Sequence, residues 1–371
     1  MKIGILTLPI AENYGGILQA VALYQLLQRQ GHDVTLIYKI QTPALFKEFI
    51  RKILEIIPAH NLFNVKVTKQ NRIEWAQRRD LHLPFIQNEI SKISPALKTT
   101  TELKQYAHEK QFDAVIVGSD QVWRKAYIDD PYYKSYFLDF IPTQSNTKKI
   151  AYAASFGKDY WEGQGDSATI SKLLSDFDGI SIREASGIDI CKSTFNVNSA
   201  KHVLDPTLLM GKDFYLEMIA KYDLTNISPK KIVTYVLDEN DTKKTIIEKA
   251  QQNLACLDDD IVHLRGFNKE NKTYTLPEWL CSIANADFVI TDSFHGMVFS
   301  IIFEKQFIVI GNHDRGLERF TSLLNMLQLE ERLISINPEA TITESIDYKR
   351  VNQLLKTQQI NSKEFLTRAL D

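Results

Sequence analysis

Apolar positions along the chain gather into short, nearly continuous runs, each ending in a small or polar loop. Ile3–Leu8, Asp33–Lys39, Phe112–Val117, Lys149–Ala154 and Gly179–Ile182 read as buried strands. Between the first two, Leu18, Val21, Ala22, Gln25 and Leu26 fall at helical spacing over Ile17–Gln30, and Gly31 is placed to end that helix. A strand, a helix and a strand in succession make a βαβ unit, whose crossover implies a parallel sheet. A second set follows at Lys231–Leu237, Asp260–Leu264, Asp287–Thr291 and Gln306–Ile310, with helices predicted over Thr242–Asn253, Pro277–Asn285 and Gly296–Phe303. Two sheets of one design predict an α/β protein of two Rossmann-like, doubly wound domains facing a cleft. The N-terminal domain is expected over 1–210 and the C-terminal one over 228–345, with a break near Met210–Pro229. The remaining 346–371 carries a predicted helix, Tyr348–Leu370, that packs back on the N-terminal domain.

Residues 41–80 stand outside this pattern. Leu45, Phe46, Phe49, Ile50, Ile53, Leu54 and Ile57 mark one face of an amphipathic helix, and the segment carries eight basic and four acidic residues, a local excess of +4. Two readings stand: a peripheral contact with an anionic membrane or lipid-linked substrate, and a helix packed on its own domain with a solvated basic face.

Composition narrows the partners. With 44 Lys and Arg against 46 Asp and Glu, the whole chain has no electrostatic reason to seek nucleic acid, so any anion site must be local. Cys191, Cys256 and Cys281 lie far apart with no CxxC pair, which argues against a disulfide framework or zinc ribbon and predicts buried thiols in a reducing compartment. No apolar run reaches the roughly 18 residues of a membrane span. A cytoplasmic protein, touching the inner face of the membrane at most peripherally through 41–80, is the expectation.

Candidate chemistry lies where strands end. Asp292-Ser293-Phe294-His295-Gly296 follows one predicted strand and opens an apolar helix, so free backbone N–H groups and the positive helix end meet there, a setting for phosphate or carboxylate. The alternative is that Asp292 or Ser293 caps the helix and His295 is structural. Arg315 and Arg319, four apart after the strand Gln306–Ile310, can present two guanidinium forks to an oxyanion or make surface ion pairs. Arg183, directly after Gly179–Ile182, points toward the ligand crevice or pairs with Glu184 or another acid. His263 and Arg265, around the end of the strand finishing at Leu264, face the same choice. Gly15-Gly16 lacks the dinucleotide GxGxxG spacing, and no Walker A, HExxH, GxSxG or EF-hand pattern occurs, so no metal or serine nucleophile is called for.

Seven ordered blocks resemble the polysaccharide pyruvyl transferase family. They are Asn13-Tyr14-Gly15-Gly16-Ile17-Leu18-Gln19-Ala20; Phe112-Asp113 through Gly118-Ser119-Asp120-Gln121-Val122-Trp123; Ala151 to Gly157; Ser181-Ile182-Arg183-Glu184 through Gly187; Leu204-Asp205-Pro206-Thr207-Leu208-Leu209; Thr291 to Gly296; and Arg315-Gly316 with Arg319-Phe320. The resemblance implies a fold like that of GT-B glycosyltransferases. It also implies transfer of pyruvate from phosphoenolpyruvate to two hydroxyls of one sugar in a cell-surface or exopolysaccharide precursor, forming a cyclic ketal and releasing phosphate, with no cofactor or metal.

That reaction needs cations for the donor's phosphate and carboxylate, a general acid for C3 of the enol, and a base for the attacking hydroxyl. The resemblance places Arg183, Arg315 and Arg319 with Ser293 and Gly296 on the donor, His295 as donor contact and acid, and Asp120 as base. The acceptor sugar, lipid-linked or nucleotide-linked, is expected near Asn13, Tyr14 and Asp120. Two other classes fit the same outline: a GT-B-type glycosyltransferase using a nucleotide sugar, and a non-catalytic sugar-binding protein of a polysaccharide pathway.

Overall fold

The apolar runs pair into two all-parallel sheets in a computed structural model that describes residues 1–10, 13–40, 79–128, 132–268, 272–311, 316–334 and 345–371. The first sheet holds β1 (Lys2–Leu6), β2 (Asp33–Ile37), β3 (Ala114–Val117), β4 (Lys148–Ala154), β5 (Gly179–Ile182) and β6 (Lys201–His202), in the order β2-β1-β3-β4-β5-β6. The second holds β7 (Lys230–Tyr235), β8 (Ile261–His263), β9 (Ala286–Thr291), β10 (Gln306–Ile310) and β11 (Leu333–Ile334), in the order β11-β10-β9-β7-β8. In each sheet the first strand sits between the second and the third, so chain direction across the sheet reverses at β1/β3 and at β7/β9. Those two reversal points, at the carboxyl ends of the strands, are where open α/β sheets form ligand crevices.

The helices begin where capping chemistry starts rather than where periodicity becomes visible. Helix α1 (Tyr14–Arg29) is capped by Asn13, whose side chain accepts from Gly15 N at 3.1 Å, and so begins three residues before the expected start at Ile17. Helix α2 (Thr100–Lys110) has a reciprocal Thr99–Glu102 capping box. Helices α3 (Ser167–Leu174) and α4 (Ala185–Phe195) complete the crossovers of the first sheet. Helix α5 (Thr207–Ala220) occupies much of the stretch expected as a break; its Gly211, at φ 78°, departs from helical geometry and interrupts the apolar period that would reveal it. Helices α6 (Asp241–Asn253), α7 (Leu276–Ala284), α8 (Phe294–Ile302) and α9 (Glu318–Leu327) surround the second sheet. All three cysteines are buried and unbridged. The amphipathic face and basic excess of 41–80 lie almost wholly outside the described residues, and among those described no helix is long and apolar enough to cross a membrane.

The largest apolar cluster belongs to both sheets. It runs from Ile3, Ile5 and the inner face of α1 through Leu208 and Tyr215 of α5 to Trp279 and every apolar residue of α8. Helix α8 is buried on all sides, which explains a sequence apolar all round. Tyr14 fastens this joint: its ring stacks on Trp279 at 5.3 Å, and its hydroxyl donates to the Tyr274 carbonyl at 2.6 Å. Helix α10 (Tyr348–Leu370) fastens it again. Tyr348 donates to the Ser300 and Lys305 carbonyls beside the second sheet, while Ser362 accepts from Leu204 N and Lys148 donates to the Leu370 carbonyl at the first.

Tyr14→Phe keeps the stacking and deletes the hydroxyl. Urea unfolding should show a loss of about 1 kcal/mol, the net worth of a buried hydrogen bond.

Candidate active site

The two reversal points meet at one imidazole. His295 lies in the first turn of α8, after β9, and Gly15 lies in the first turn of α1, after β1. A Cβ on Gly15 would stand 1.9 Å from Nδ1 of His295, so only glycine lets the two helix starts approach this closely. Both positive helix ends therefore converge on the same spot.

Facing the imidazole is a buried ion cluster centred on Arg183, at the end of β5. Its Nη1 donates to Asp205 Oδ2 at 2.8 Å and its Nη2 to Asp120 Oδ1 at 3.1 Å. Asp205 accepts further from the Thr207 amide and hydroxyl on Oδ1, while the Ser119 hydroxyl lies 3.1 Å from Oδ2. His295 Nε2 stands 3.6 Å from that same Oδ2. The Arg183 side chain is 1% exposed and that of Asp205 0%, so this is an interior network, not a surface clamp.

Local backbone chemistry explains how the cluster assembles. Strand β4 bulges between Ala151 and Ala154, with Ala153 at φ 49°. Ser181 holds the bulge by donating to the Ala151 carbonyl and accepting from Ala153 N, and Ser119 lies 3.0 Å from the Ala153 carbonyl. Asp120 has φ 72°, a left-handed backbone that a short acidic residue tolerates and that turns its carboxylate toward Arg183.

Arg319, in the first turn of α9, approaches from the second sheet. Its guanidinium lies 5.6 Å and that of Arg183 4.6 Å from the ring centre of Phe294, so one aromatic side chain carries two cations. Ser322, one turn further along α9, accepts from Ala185 N at 2.9 Å and lies 3.1 Å from Nε2 of His202, which also donates to the Arg183 carbonyl. These bonds fix α9, and with it Arg319, against the strand end that bears Arg183.

The charges are not equivalent. Burial pushes the Asp205 carboxyl up, but His295 and Arg183 outweigh it and leave the group well below the usual carboxylate range. Asp120 is likewise lowered, burial being overcome by Arg183, His295 and Arg319. Arg183 is held charged by Asp120 and Asp205 against the cost of burial. Arg319 goes the other way: burial and then repulsion from Arg183 lower it to about 10, still cationic at neutral pH. Glu184, which accepts from the Phe156 and Gly157 amides, is raised by burial. Two aspartates thus offset Arg183, while Arg319 stands buried beside that like charge.

These positions revise several residue expectations. Arg183 pairs with nearby acids, the alternative its sequence position left open, and the acids are Asp120 and Asp205 rather than Glu184. Asp120, expected as a base, is a weak proton acceptor while it holds Arg183. Ser293 is the cap of α8, accepting from Gly296 N at 3.4 Å, and Gly296 lies so close to β9 that a Cβ would stand 2.2 Å from Thr291 Oγ1. Local packing accounts for both, as helix capping does for Asn13. Asp292 binds the Leu237 and Asp238 amides and Lys243, fastening the end of β7. Arg315 lies outside the described residues. Asp205, in the Leu204–Leu209 block, is the participant to which the sequence assigns no role; its signal is an acid three positions past the end of β6 and directly before Pro206.

Among the described residues no group of three His, Cys, Asp or Glu is placed to hold a metal ion. Three buried polar atoms in the cluster make no hydrogen bond there: Arg183 Nε, His295 Nε2 and Glu184 Oε2. Unsatisfied buried groups cost about 1–3 kcal/mol each, a cost that a polar group brought within reach would relieve.

Residues 13–314 match the family model for polysaccharide pyruvyl transferase. No curated protein sequence matches the chain significantly. Among solved structures, a UDP-GlcNAc 2-epimerase from Methanocaldococcus jannaschii is similar at 13% identity and TM-score 0.51, over 96% of this chain and 93% of that one. A putative UDP-N-acetylglucosamine 2-epimerase from Listeria monocytogenes is similar at 10% identity and TM-score 0.51, over 100% and 91%. At these identities the likeness is one of fold.

Two outcomes check the site's construction. Gly15→Ala should expel the imidazole from its place and lower stability by about 1–3 kcal/mol in urea unfolding, the usual cost of overpacking. Because Asp120 and Asp205 titrate lower when folded than when unfolded, their contribution to stability is full above roughly pH 4 and is lost as pH falls through the folded values. Unfolding free energy followed downward from pH 5 should therefore drop in the native protein, with a shallower slope in Asp205→Asn.

Proposed function

This chain belongs to the polysaccharide pyruvyl transferase family, and from that premise we propose that it moves pyruvate from phosphoenolpyruvate onto two hydroxyls of a sugar in a polysaccharide precursor. The observation carrying the proposal is the convergence of His295, Arg319 and the Arg183 cluster at the joint of both reversal points.

The donor carries a phosphate and a carboxylate, and Arg319 is the first contact for one of them. An anion beside it relieves the repulsion from Arg183 and replaces solvent lost on burial. Arg183, already bound by two aspartates, acts mainly as the anchor that sets Arg319, Phe294 and Asp205 in place. His295 gives a proton to C3 of the enol, making C2 electrophilic, and Asp205, anionic beside Nε2, stabilises the charged imidazole from which that proton leaves.

The first sugar hydroxyl then bonds to C2 and loses its proton. The C2–O bond to phosphate breaks with its electron pair going to phosphate, and the second hydroxyl closes the ketal. One hydroxyl proton balances that delivered to C3, and the other leaves with phosphate as hydrogen phosphate.

Phosphate release from phosphoenolpyruvate, screened against a panel of sugar acceptors and followed by mass analysis of the product, tests the reading; no release with any acceptor would refute it. His295→Ala should cut turnover by roughly 10²–10⁴ if it transfers the proton. Arg319→Ala should raise the KM for phosphoenolpyruvate about tenfold or more, the loss of a charge-assisted contact worth roughly 1.5–3 kcal/mol. A folded His295→Ala enzyme with unaltered turnover would remove the imidazole from the chemistry.

A further inference from the structure

A cavity of about 240 Å³, lined by Tyr14 and not by His295, takes no part in the chemistry above. Both halves of the molecule line it: Tyr14 and His82 from the first, and Glu239, Arg265, Asn268 and Lys272 from loops at the carboxyl edge of the second sheet. Interfaces of this kind are common homes for small ligands.

Its polar groups are committed to different degrees. Lys272 lies 3.6 Å from Glu278 and 4.5 Å over the Tyr274 ring. Asn268 donates to the Lys272 carbonyl at 2.7 Å, and one oxygen of Glu239 accepts from Phe267 N at 2.6 Å. Arg265, half-buried on the wall, has no side-chain hydrogen bond or ion pair among the described residues. The loop that bears it is fixed, since a Cβ on Gly266 would stand 2.8 Å from the Val236 carbonyl. An uncompensated guanidinium fork with a second cation nearby suits a phosphate, and Glu239 beside it suits a sugar hydroxyl. The cavity lies below the usual range for a whole drug-sized ligand, roughly 300–1,000 Å³, and is of the order of a phosphate with part of a sugar.

We propose that this cavity holds the phosphate through which the acceptor sugar is attached to its carrier. The inference rests on the pyruvyl-transfer reading for the word acceptor, and on Tyr14, which lines the cavity and directly precedes Gly15, the residue His295 packs against. A nucleotide diphosphate and a polyprenyl diphosphate supply the same phosphate ester, so the chemistry of recognition is shared.

Titration calorimetry on the full chain tests it, with glucose 1-phosphate and glucose as probes, with and without saturating phosphoenolpyruvate. Glucose 1-phosphate should bind more tightly than glucose, phosphoenolpyruvate should not displace it, and Arg265→Ala should weaken it about tenfold or more, with Arg265→Lys between. UDP-glucose and a short-chain polyprenyl-diphosphate glucose, run in parallel, identify the carrier by which of them binds more tightly in an Arg265-dependent manner. Equal affinity in the native protein and an Arg265→Ala variant of unchanged melting temperature would overturn the proposal, as would no preference for the phosphorylated sugar or displacement by phosphoenolpyruvate. If phosphate is never released from phosphoenolpyruvate while binding keeps its dependence on Arg265, the transfer reading fails and the cavity assignment stands.

Discussion

The guanidinium of Arg183, shared between two aspartates in the interior, is the constraint on which the rest of the site depends. Taking such charges out of water is costly, and the cost is recovered only when every partner is in place. Asp120 comes from the loop after β3, Asp205 from the chain beyond β6, and Arg183 from the end of β5. None of these loops can shift without leaving a charge unpaired in the core. Removing the arginine would strand two carboxylates and is expected to damage the fold before it reports on chemistry, which separates its role from that of Arg319.

A division of labour follows between groups that hold the architecture and groups that retain reactivity. The first sheet supplies the paired network of Arg183, Asp120 and Asp205, and the second supplies His295 and Arg319, on the first turns of two helices. Phe294 joins them by offering its ring to both arginines, so two like charges coexist within one small volume. Helix starts and two neighbouring guanidiniums favour an anion, although the cluster as a whole is close to neutral.

Much of the fold was legible because parallel strands buried on both faces leave continuous apolar runs. The strands Gly179–Ile182 and Gln306–Ile310 and the helix Tyr348–Leu370 lie where the sequence places them. Helix starts were less legible, since Asn13 and Ser293 set them by hydrogen bonds that carry no periodicity. Helix α5 was hidden by a glycine kink. At the site, topology alone brought Arg183, Arg319 and His295 toward one edge. What it could not supply was pairing: that Asp205 rather than Glu184 would receive Arg183 depends on a bulge in β4 and on contacts between residues over twenty positions apart. Nor does the sequence around Gly15 show that the group packed against it is the imidazole of His295.

Helix α10 has 23 residues, a length of about 34 Å at 1.5 Å per residue. One end is bonded beside β10 and the other beside β4, so it acts as a brace across the gap between the sheets. Swinging the halves apart would mean breaking one of those attachments or the apolar joint beneath them. The spacing between the carboxyl edges of the two sheets is therefore set during folding, with the braced frame serving as a fixed gauge.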